Sequence, residues 1–217
     1  MDKIIRLLAG PTWQTLYMVG ASSFFSFLMG LPLGIALVLT EKGGLCENTG
    51  VSKILDVFVN VFRSFPFIIL MIILFPLTRL IAGTTIGTTA AIVPLSISAA
   101  PFVARVVQSS LEEVDRGVVE AALSMGAGVK TIVFRVLIPE ALPSLVAGAT
   151  LTVIAIIGSS AMAGAIGGGG LGDVAIRFGY QRFRTDVLLA SCIVIIAIVQ
   201  AIQWIGNKIV RTLSRNR

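Results

Sequence analysis

Residues 141–165 read ALPSLVAGATLTVIAIIGSSAMAGA, 25 positions without a charged side chain. A helix of about 20 apolar residues crosses the hydrocarbon core of a bilayer, because its backbone amides are satisfied within the segment. Four further apolar stretches lie at 12–40, 57–78, 86–107 and 187–206. The sequence therefore predicts an all-α membrane protein with five transmembrane helices, in a single domain over 1–217.

The composition agrees with a membrane protein and excludes several other classes. Of the 217 residues, 56% are hydrophobic and 13% are charged, and the mean hydropathy is +0.96. Soluble domains carry roughly a quarter charged residues. The net charge of +6 comes from basic residues that flank apolar spans, with no stacking aromatics between them, which argues against a nucleic-acid partner. The chain has no histidine and only two, widely separated cysteines, so no catalytic residue and no metal site is predicted.

The lysines and arginines predict the orientation, because basic loops face the cytoplasm. Five spans place the two termini on opposite sides. With a cytoplasmic C-terminus, the inner side carries Lys42, Lys53, Arg63, Arg105, Arg116, Lys130, Arg135, Lys208, Arg211, Arg215 and Arg217. The outer side then carries Lys3, Arg6, Arg79, Arg177, Arg182 and Arg184. We therefore expect an external N-terminus and a cytoplasmic C-terminus, although the sequence does not explain the three arginines of the last outer loop.

The long connector between the third and fourth predicted spans contains a predicted short helix. Residues 115–140 read DRGVVEAALSMGAGVKTIVFRVLIPE. Asp115 is a suitable N-cap, and Gly126 or Gly128 supplies the stop, so we expect a helix at about 116–126. A helix of two to three turns is marginal in water by itself. The pattern therefore indicates a segment that docks on a partner.

The same connector resembles a family signature. It has EAA at 120–122, glycine at 126 and VLIP at 136–139. This resembles the EAA signature of permease subunits of ATP-binding-cassette (ABC) importers, which is EAA, three residues, G, nine residues, I, any residue, L and P. The chain departs from it only by Val136 for isoleucine and Ile138 for leucine.

The resemblance assigns a role to each matched position. In that family the loop forms a coupling helix that sits in a cleft of the ATPase subunit. The resemblance implies that Glu120, Ala121, Ala122 and Gly126 make the coupling contact in this chain. It also implies that Pro139 marks the turn into the fourth span.

Four other runs are similar to the methionine-uptake permeases, and this likeness covers essentially the whole chain. They are VFRSFPFII at 61–69, AIVPL at 91–95, AAPFVAR at 99–105 and GGLG at 169–172. The resemblance implies a type I ABC importer permease fold and a homodimer in the bacterial inner membrane. It also implies two copies of an ATPase and a periplasmic or lipid-anchored methionine-binding protein as partners. The polar amino-acid permeases share the signature and are the alternative for the substrate.

ATP binding is not expected on this chain. No lysine is preceded by glycine and followed by serine or threonine, so a P-loop is absent from the sequence. We therefore expect a transport subunit that is not an enzyme and needs no cofactor, with ATP bound by the partner ATPase. An ion-coupled secondary transporter is disfavoured because no predicted span has a carboxylate or histidine at its centre.

The fourth predicted span offers candidates for the transport pathway. Residues 158–164 read GSSAMAG and place small residues around one thioether, which gives a soft and adaptable apolar contact. Ser159, Ser160 and Met162 are therefore candidates to line or gate the pathway. Ordinary packing explains Met162 equally well.

Three patterns of glycines and charges give further expectations. Gly30 and Gly34 form a GxxxG pair and predict a close helix contact, either within the chain or between two copies. The GxGxxG match at 167–172 follows a span rather than a strand, so we expect close backbone packing there and no dinucleotide site. Asp56 and Arg63 are seven residues apart on one helix face, and we expect them to share the membrane interface.

Overall fold

The computed structural model describes residues 2–215, apart from the side chains of residues 2, 3 and 5, so Lys3 and Arg217 of the charge count lie outside the described side chains. Every regular element in this range is helical, which confirms the predicted all-α class. The α-helices are α1 (Asp2–Thr40), α2 (Thr49–Ser64), α3 (Phe67–Ile73), α4 (Phe75–Ala82), α5 (Thr88–Glu112), α6 (Arg116–Ser124), α7 (Val129–Ile132), α8 (Ile138–Ala165), α9 (Gly170–Val174) and α10 (Thr185–Arg215). Two π-helical segments, Val133–Leu137 and Ala175–Tyr180, follow α7 and α9.

Four helical stretches in the described range are long and apolar enough to cross a membrane. They are α1 from Arg6 onward, α5, the continuous stretch Val129–Ala165 and α10. α2 and α3 pass the same test only as a pair, and the pair is bent by 104°. The protein therefore has four candidate spans, or five if the bent pair crosses as one. The single domain over 1–217 stays a prediction.

The expected helix over 57–78 is interrupted twice. α2 ends at Ser64, and Pro66 has an extended backbone with φ −58° and ψ 130° before α3 begins. Proline has no N–H to donate and disfavours helical geometry in the residue before it, so a break here follows from the sequence. Pro76 lies in the first turn of α4, where a missing N–H costs nothing. Three shorter helices therefore replace one long one.

One compact unit comprises residues Met1–Ser26, Phe65–Ala99 and Thr152–Trp204. In this unit Met18, Met71 and Leu95 are fully buried in one apolar cluster. One buried hydroxyl of this unit bonds to the backbone of a distant helix, since Ser26 Oγ donates to the carbonyl of Ser96 at 3.2 Å. Serines that bond to backbone carbonyls in this way are compatible with an apolar surrounding.

The glycine-rich turn after α8 lies in the same unit and packs tightly. Gly167, Gly169 and Gly170 have positive φ angles of 91°, 76° and 77°, which only glycine adopts readily. The N–H of Gly170 donates to Gln14 Oε1 at 3.0 Å, and the N–H of Leu171 donates to Thr15 Oγ1 at 2.9 Å. The turn thus fixes the start of α9 against α1, as expected for close packing of glycines.

The second unit comprises residues Phe27–Ser64, Ala100–Leu151 and Ile205–Arg217. The GxxxG pair lies here, against α5. A Cβ built on Gly30 would lie 2.5 Å from Cβ of Val103, and one on Gly34 would lie 2.6 Å from the carbonyl oxygen of Ala104. Real Cβ atoms do not approach so closely, so the two glycines permit direct contact between α1 and α5 within the chain.

Candidate functional site

The predicted docking helix is present as α6, and its sequence explains where it begins. Asp115 is the N-cap, and its carboxylate Oδ1 accepts a hydrogen bond from the N–H of Gly117 at 2.6 Å. An N-cap of this kind satisfies one of the unpaired amides of the first turn and stabilises a helix by about 1 kcal/mol. For a helix of nine residues, such a cap is a large part of its local stability.

Gly126, rather than Gly128, ends α6. Its φ is +79°, in the left-handed region. Its N–H donates to the carbonyl of Leu123 at 2.9 Å, and the N–H of Ala127 donates to the carbonyl of Ala122 at 3.1 Å. These two bonds form a Schellman motif, which needs a residue at positive φ. The glycine of the EAA pattern therefore ends α6 through its backbone conformation.

The two alanines of the EAA pattern face opposite environments. Ala122 is only 5% exposed and belongs to an apolar cluster with Leu111, Ile132 and Leu137. Ala121 is exposed. α6 is therefore held on the protein's own core along one face and is open along the other.

The open face of α6 combines small, apolar and charged groups. Glu120 and Ala121 are exposed, and Met125 is 81% exposed at the end of the helix. Val118 is 43% exposed on the neighbouring side of the helix. Exposed apolar side chains on a short helix beside a carboxylate suit docking into a groove of a partner protein.

Carboxylates also lie next to the beginning of α6. A cavity of about 250 Å³ is lined by Glu113, Asp115, Glu140 and the hydroxyls of Ser110 and Ser144. The two serine hydroxyls are 3.1 Å apart and bond to each other. Because the lining is acidic, this surface favours a basic side chain of a partner.

Pro139 does not mark a turn. The chain is helical from Val129 through α7, the π-helical segment Val133–Leu137 and α8 without a connecting loop. Proline removes an i→i−4 hydrogen bond from a helix, and a π-helical segment beside it is one way to accommodate the change. The expectation of a turn at Pro139 is corrected to a continuous helix with a local widening before the proline.

The three pathway candidates lie on α8 but do not share one face. Ser160 is 2% exposed, and its hydroxyl donates to the carbonyl of Ile157 at 2.7 Å. Met162 is 48% exposed, and Ser159 is half-buried. Residues two positions apart on a helix point in nearly opposite directions, so Ser160 and Met162 do not line the same surface.

A polar cluster that was not expected connects α2 to α5. The guanidinium of Arg105 forms an ion pair with Asp56 and donates to Asn60 Oδ1 at 2.9 Å and to Gln108 Oε1 at 2.6 Å. Asp56 therefore pairs with Arg105. That Asp56 and Arg63 share the membrane interface stays a prediction. Opposite charges at the same end of two neighbouring spans were the signal in the sequence.

The three arginines of the last loop, which is predicted to face outward, have local partners. Arg177 pairs with Asp173 at 2.8 Å, and Arg184 pairs with Asp186 at 2.7 Å. The guanidinium of Arg182 lies 4.7 Å from the ring centre of Phe178, a cation–π contact. Two of the three arginines are thus paired with a nearby aspartate.

The comparison with protein families settles what kind of protein carries this helix. Residues 30–215 match the family model described as "Binding-protein-dependent transport system inner membrane component". The matched range includes α6 and every candidate residue named above. The chain belongs to this family. It is therefore an inner-membrane, multi-pass component of a binding-protein-dependent transport system, and the predicted family membership is confirmed.

Relatives within this family of inner membrane components are similar over nearly the whole chain. The chain is 51% identical over 205 residues to a "Probable D-methionine transport system permease protein MetI" of Vibrio cholerae, covering 94% of this chain and 91% of the relative. It is 48% identical over 208 residues to the "Methionine import system permease protein MetP" of Bacillus subtilis, covering 96% and 94%.

A solved structure confirms the predicted permease fold for this family member. A chain of the MetNI methionine ABC transporter, in an inward-facing conformation, is 44% identical in sequence and superimposes with a TM-score of 0.96. The match covers 98% of this chain and 99% of the other. Because the match spans both chains almost completely, the bent α2–α3 pair and the connector with α6 belong to the shared fold.

Proposed function

We propose that this chain is the membrane-spanning permease subunit of an ABC importer for methionine, in its D form, its L form or both. The relatives named for methionine transport cover 94% to 96% of the chain at 48% to 51% identity, which supports this substrate. An inward-facing methionine transporter chain has the same fold. Methionine uptake is favoured over the polar amino-acid alternative for these reasons.

The observation that carries the proposal is the two-sided environment of α6. Ala122 is buried in the protein's own core, whereas Glu120 and Ala121 are exposed on the other side. When a partner protein binds the exposed face of α6 and moves, the permease core that packs against the buried face of α6 therefore moves with it. This is the arrangement needed for a coupling helix, with Gly126 fixing its end.

The partner proteins follow from the missing P-loop and from the exposed face of α6. Its sequence has no P-loop, so ATP is bound and hydrolysed by a separate ATPase, of which two copies serve a homodimer of this permease. The exposed face of α6 and the acidic cavity beside it dock on the ATPase from the cytoplasm. A methionine-binding protein delivers the substrate from the outside, where the N-terminus lies.

Transport then works by a shift between two conformations. ATP closes the two ATPase subunits, each moves a docked α6, and the permease dimer changes from inward-open to outward-open. We keep Met162 and Ser159 as candidates to contact the substrate, because Met162 is half-exposed on α8. Ser160 is the weakest of the three because its hydroxyl already bonds to the backbone.

The test is reconstitution of the full-length chain in lipid vesicles. With the ATPase and the methionine-binding protein from the same genome, we expect methionine uptake that requires ATP, and no transport by the permease alone. Competition with other unlabelled amino acids defines the substrate. For a polar amino-acid permease, excess glutamine or arginine would inhibit the uptake, whereas for a methionine permease only methionine would. Uptake by the chain alone, driven by an ion gradient, would overturn the proposal.

A further inference from the structure

A cavity beside the last turn of α4 has no part in the function described so far. Its volume is about 610 Å³, within the ordinary size range of ligand pockets. α4 contributes most of the lining, and Thr85 of the following loop completes it. The lining residues of α4 are Phe75, Pro76, Arg79 and Leu80. All five residues belong to the same compact unit.

Arg79 is the one charged residue among the five that line this cavity. It is exposed, and none of the ion pairs among the described side chains includes it. It lies in the last turn of α4, where the partial negative charge of a helix end offsets at most about half of a positive charge. The cavity therefore carries a net positive charge, which an anionic group would neutralise.

The lining around Arg79 is mainly apolar. Phe75 is partly buried and packs against the apolar cluster of Met18 and Met71, whereas Leu80 is 83% exposed. Exposed apolar surface of this kind indicates a contact with an apolar partner. An arginine next to it favours a ligand in which an anionic oxygen group adjoins a hydrocarbon chain, because guanidinium groups bind phosphate and carboxylate oxygens strongly.

The start of α5 places the cavity at the boundary of the membrane. α5 is a candidate span of 25 residues, which is about 37 Å in helical form, whereas the hydrocarbon core is about 30 Å thick. Both ends of α5 therefore reach the headgroup layers. Thr85 precedes Thr88, the first residue of α5, by no more than about 10 Å of chain. Because Thr85 lines the cavity, the cavity reaches the layer in which lipid phosphates lie.

We propose that this cavity binds an anionic phospholipid, with the phosphate on Arg79 and an acyl chain along Phe75 and Leu80. The guanidinium donates two parallel N–H groups to the phosphate oxygens. None of the five lining side chains is a carboxylate, so the amine of a zwitterionic headgroup has no counter-charge in the cavity and is repelled by Arg79. A headgroup whose only charge is the phosphate, such as that of a glycerol-headed lipid, is therefore preferred.

The lipid site is independent of the transport proposal. The orientation proposed above places it in the outer leaflet, but its chemistry is the same in either leaflet. Retention of lipid is measured without ATP, methionine or an ATPase. Failure of the transport proposal would therefore leave the lipid site intact, and failure of the lipid site would leave transport intact.

The experiment is native mass spectrometry of the purified full-length chain with two competing lipids. The probes are a glycerol-headed and a choline-headed phospholipid with identical acyl chains. We expect the wild type to retain the glycerol-headed lipid about fivefold more, because repulsion between two like charges about 4 Å apart in water corresponds to roughly that ratio. Arg79→Gln should bring the ratio to about one, whereas Arg79→Lys keeps the charge and should keep a preference for the glycerol-headed lipid.

Arg182→Gln is the matched control. It removes one positive charge from another exposed arginine, whose guanidinium stacks on Phe178 and does not line the cavity. We expect this variant to keep the wild-type ratio of the two lipids. Thermal unfolding of each variant confirms that the compared proteins are folded.

Four results would overturn the lipid assignment. Equal retention of the two lipids by the wild type, or a preference that survives in Arg79→Gln, would separate lipid binding from this cavity. An equal loss of preference in Arg182→Gln would indicate general electrostatic attraction. Displacement of the bound lipid by inorganic phosphate or by free methionine would indicate a site for a small anion or for the transported amino acid.

Discussion

Replacing Gly126 tests whether the end of α6 is fixed by backbone geometry. An L-residue at the φ of +79° found here costs about 1 to 2 kcal/mol, and a β-branched residue such as valine lies at the upper end of that range. A Cβ built on Gly126 has no atom within 4 Å, so within the chain the cost is purely conformational. We therefore expect Gly126→Val to disfavour the capped conformation of α6 by about 2 kcal/mol, which is about thirtyfold in its population.

The functional effect of Gly126→Val should be a loss of coupling between ATP hydrolysis and methionine uptake, while the ATPase activity itself is retained. In vesicles that contain the complete importer, we expect ATP hydrolysis to persist while methionine uptake per ATP falls severalfold. Asparagine adopts the left-handed region more easily than other residues, so Gly126→Asn should retain most of the coupling. Gly128 has a φ of −73° and open space around its Cβ position, and Gly128→Ala is the matched control that should behave as wild type.

Two outcomes would refute this reasoning. If Gly126→Val coupled as well as the wild type, the Schellman motif would have no part in force transmission. If Gly126→Asn failed as completely as Gly126→Val, any added side chain would be harmful, and the glycine would be needed for contact with the ATPase instead of for its φ angle.

Three further predictions concern packing, docking and the pathway. Gly34→Ala should lower the thermal unfolding temperature, because its Cβ would lie 2.6 Å from a carbonyl oxygen of α5, whereas Gly20→Ala, with nothing within 4 Å, should not; equal temperatures would contradict the close crossing. Ala122→Leu should destabilise the isolated permease by about 1 to 3 kcal/mol through overpacking. Ala121→Leu should leave its stability unchanged and reduce co-purification of the ATPase. The opposite result for the two variants would mean that Ala121 faces the core and Ala122 faces the partner. Met162→Ala should slow methionine uptake without changing ATPase binding, and uptake at the normal rate would remove Met162 from the pathway.

Local signals in the sequence were sufficient for α6. An aspartate before the helix and a glycine after it predicted both ends within two residues, because capping depends on nearby backbone amides and carbonyls. The choice between Gly126 and Gly128 was left open, since both can stop a helix. The φ angles decide between the two glycines, since Gly126 has a positive φ and Gly128 has a negative one.

Other features were not predicted, in one case because a local signal was not used and in another because a distant contact decides it. Hydropathy alone gave one helix over 57–78, because a count of apolar residues ignores the restriction that Pro66 imposes on the chain. The π-helical segment before Pro139 has no distinctive composition. The ion pair of Asp56 with Arg105 was not predicted, because Arg105 lies on a neighbouring helix 49 positions later and no local pattern connects the two residues.

The glycine contact between α1 and α5 has a consequence for measuring the transport cycle. At Gly30 and Gly34 no side chain separates the two helices, and Val103 and Val107 of α5 fill the space that a side chain would occupy. Sliding by one helical turn, about 5.4 Å, would drive these valines into the larger residues on either side of the glycines. Spectroscopic probes placed on the two helices near this crossing should therefore report a constant separation, and they provide an internal ruler against which movements elsewhere can be calibrated.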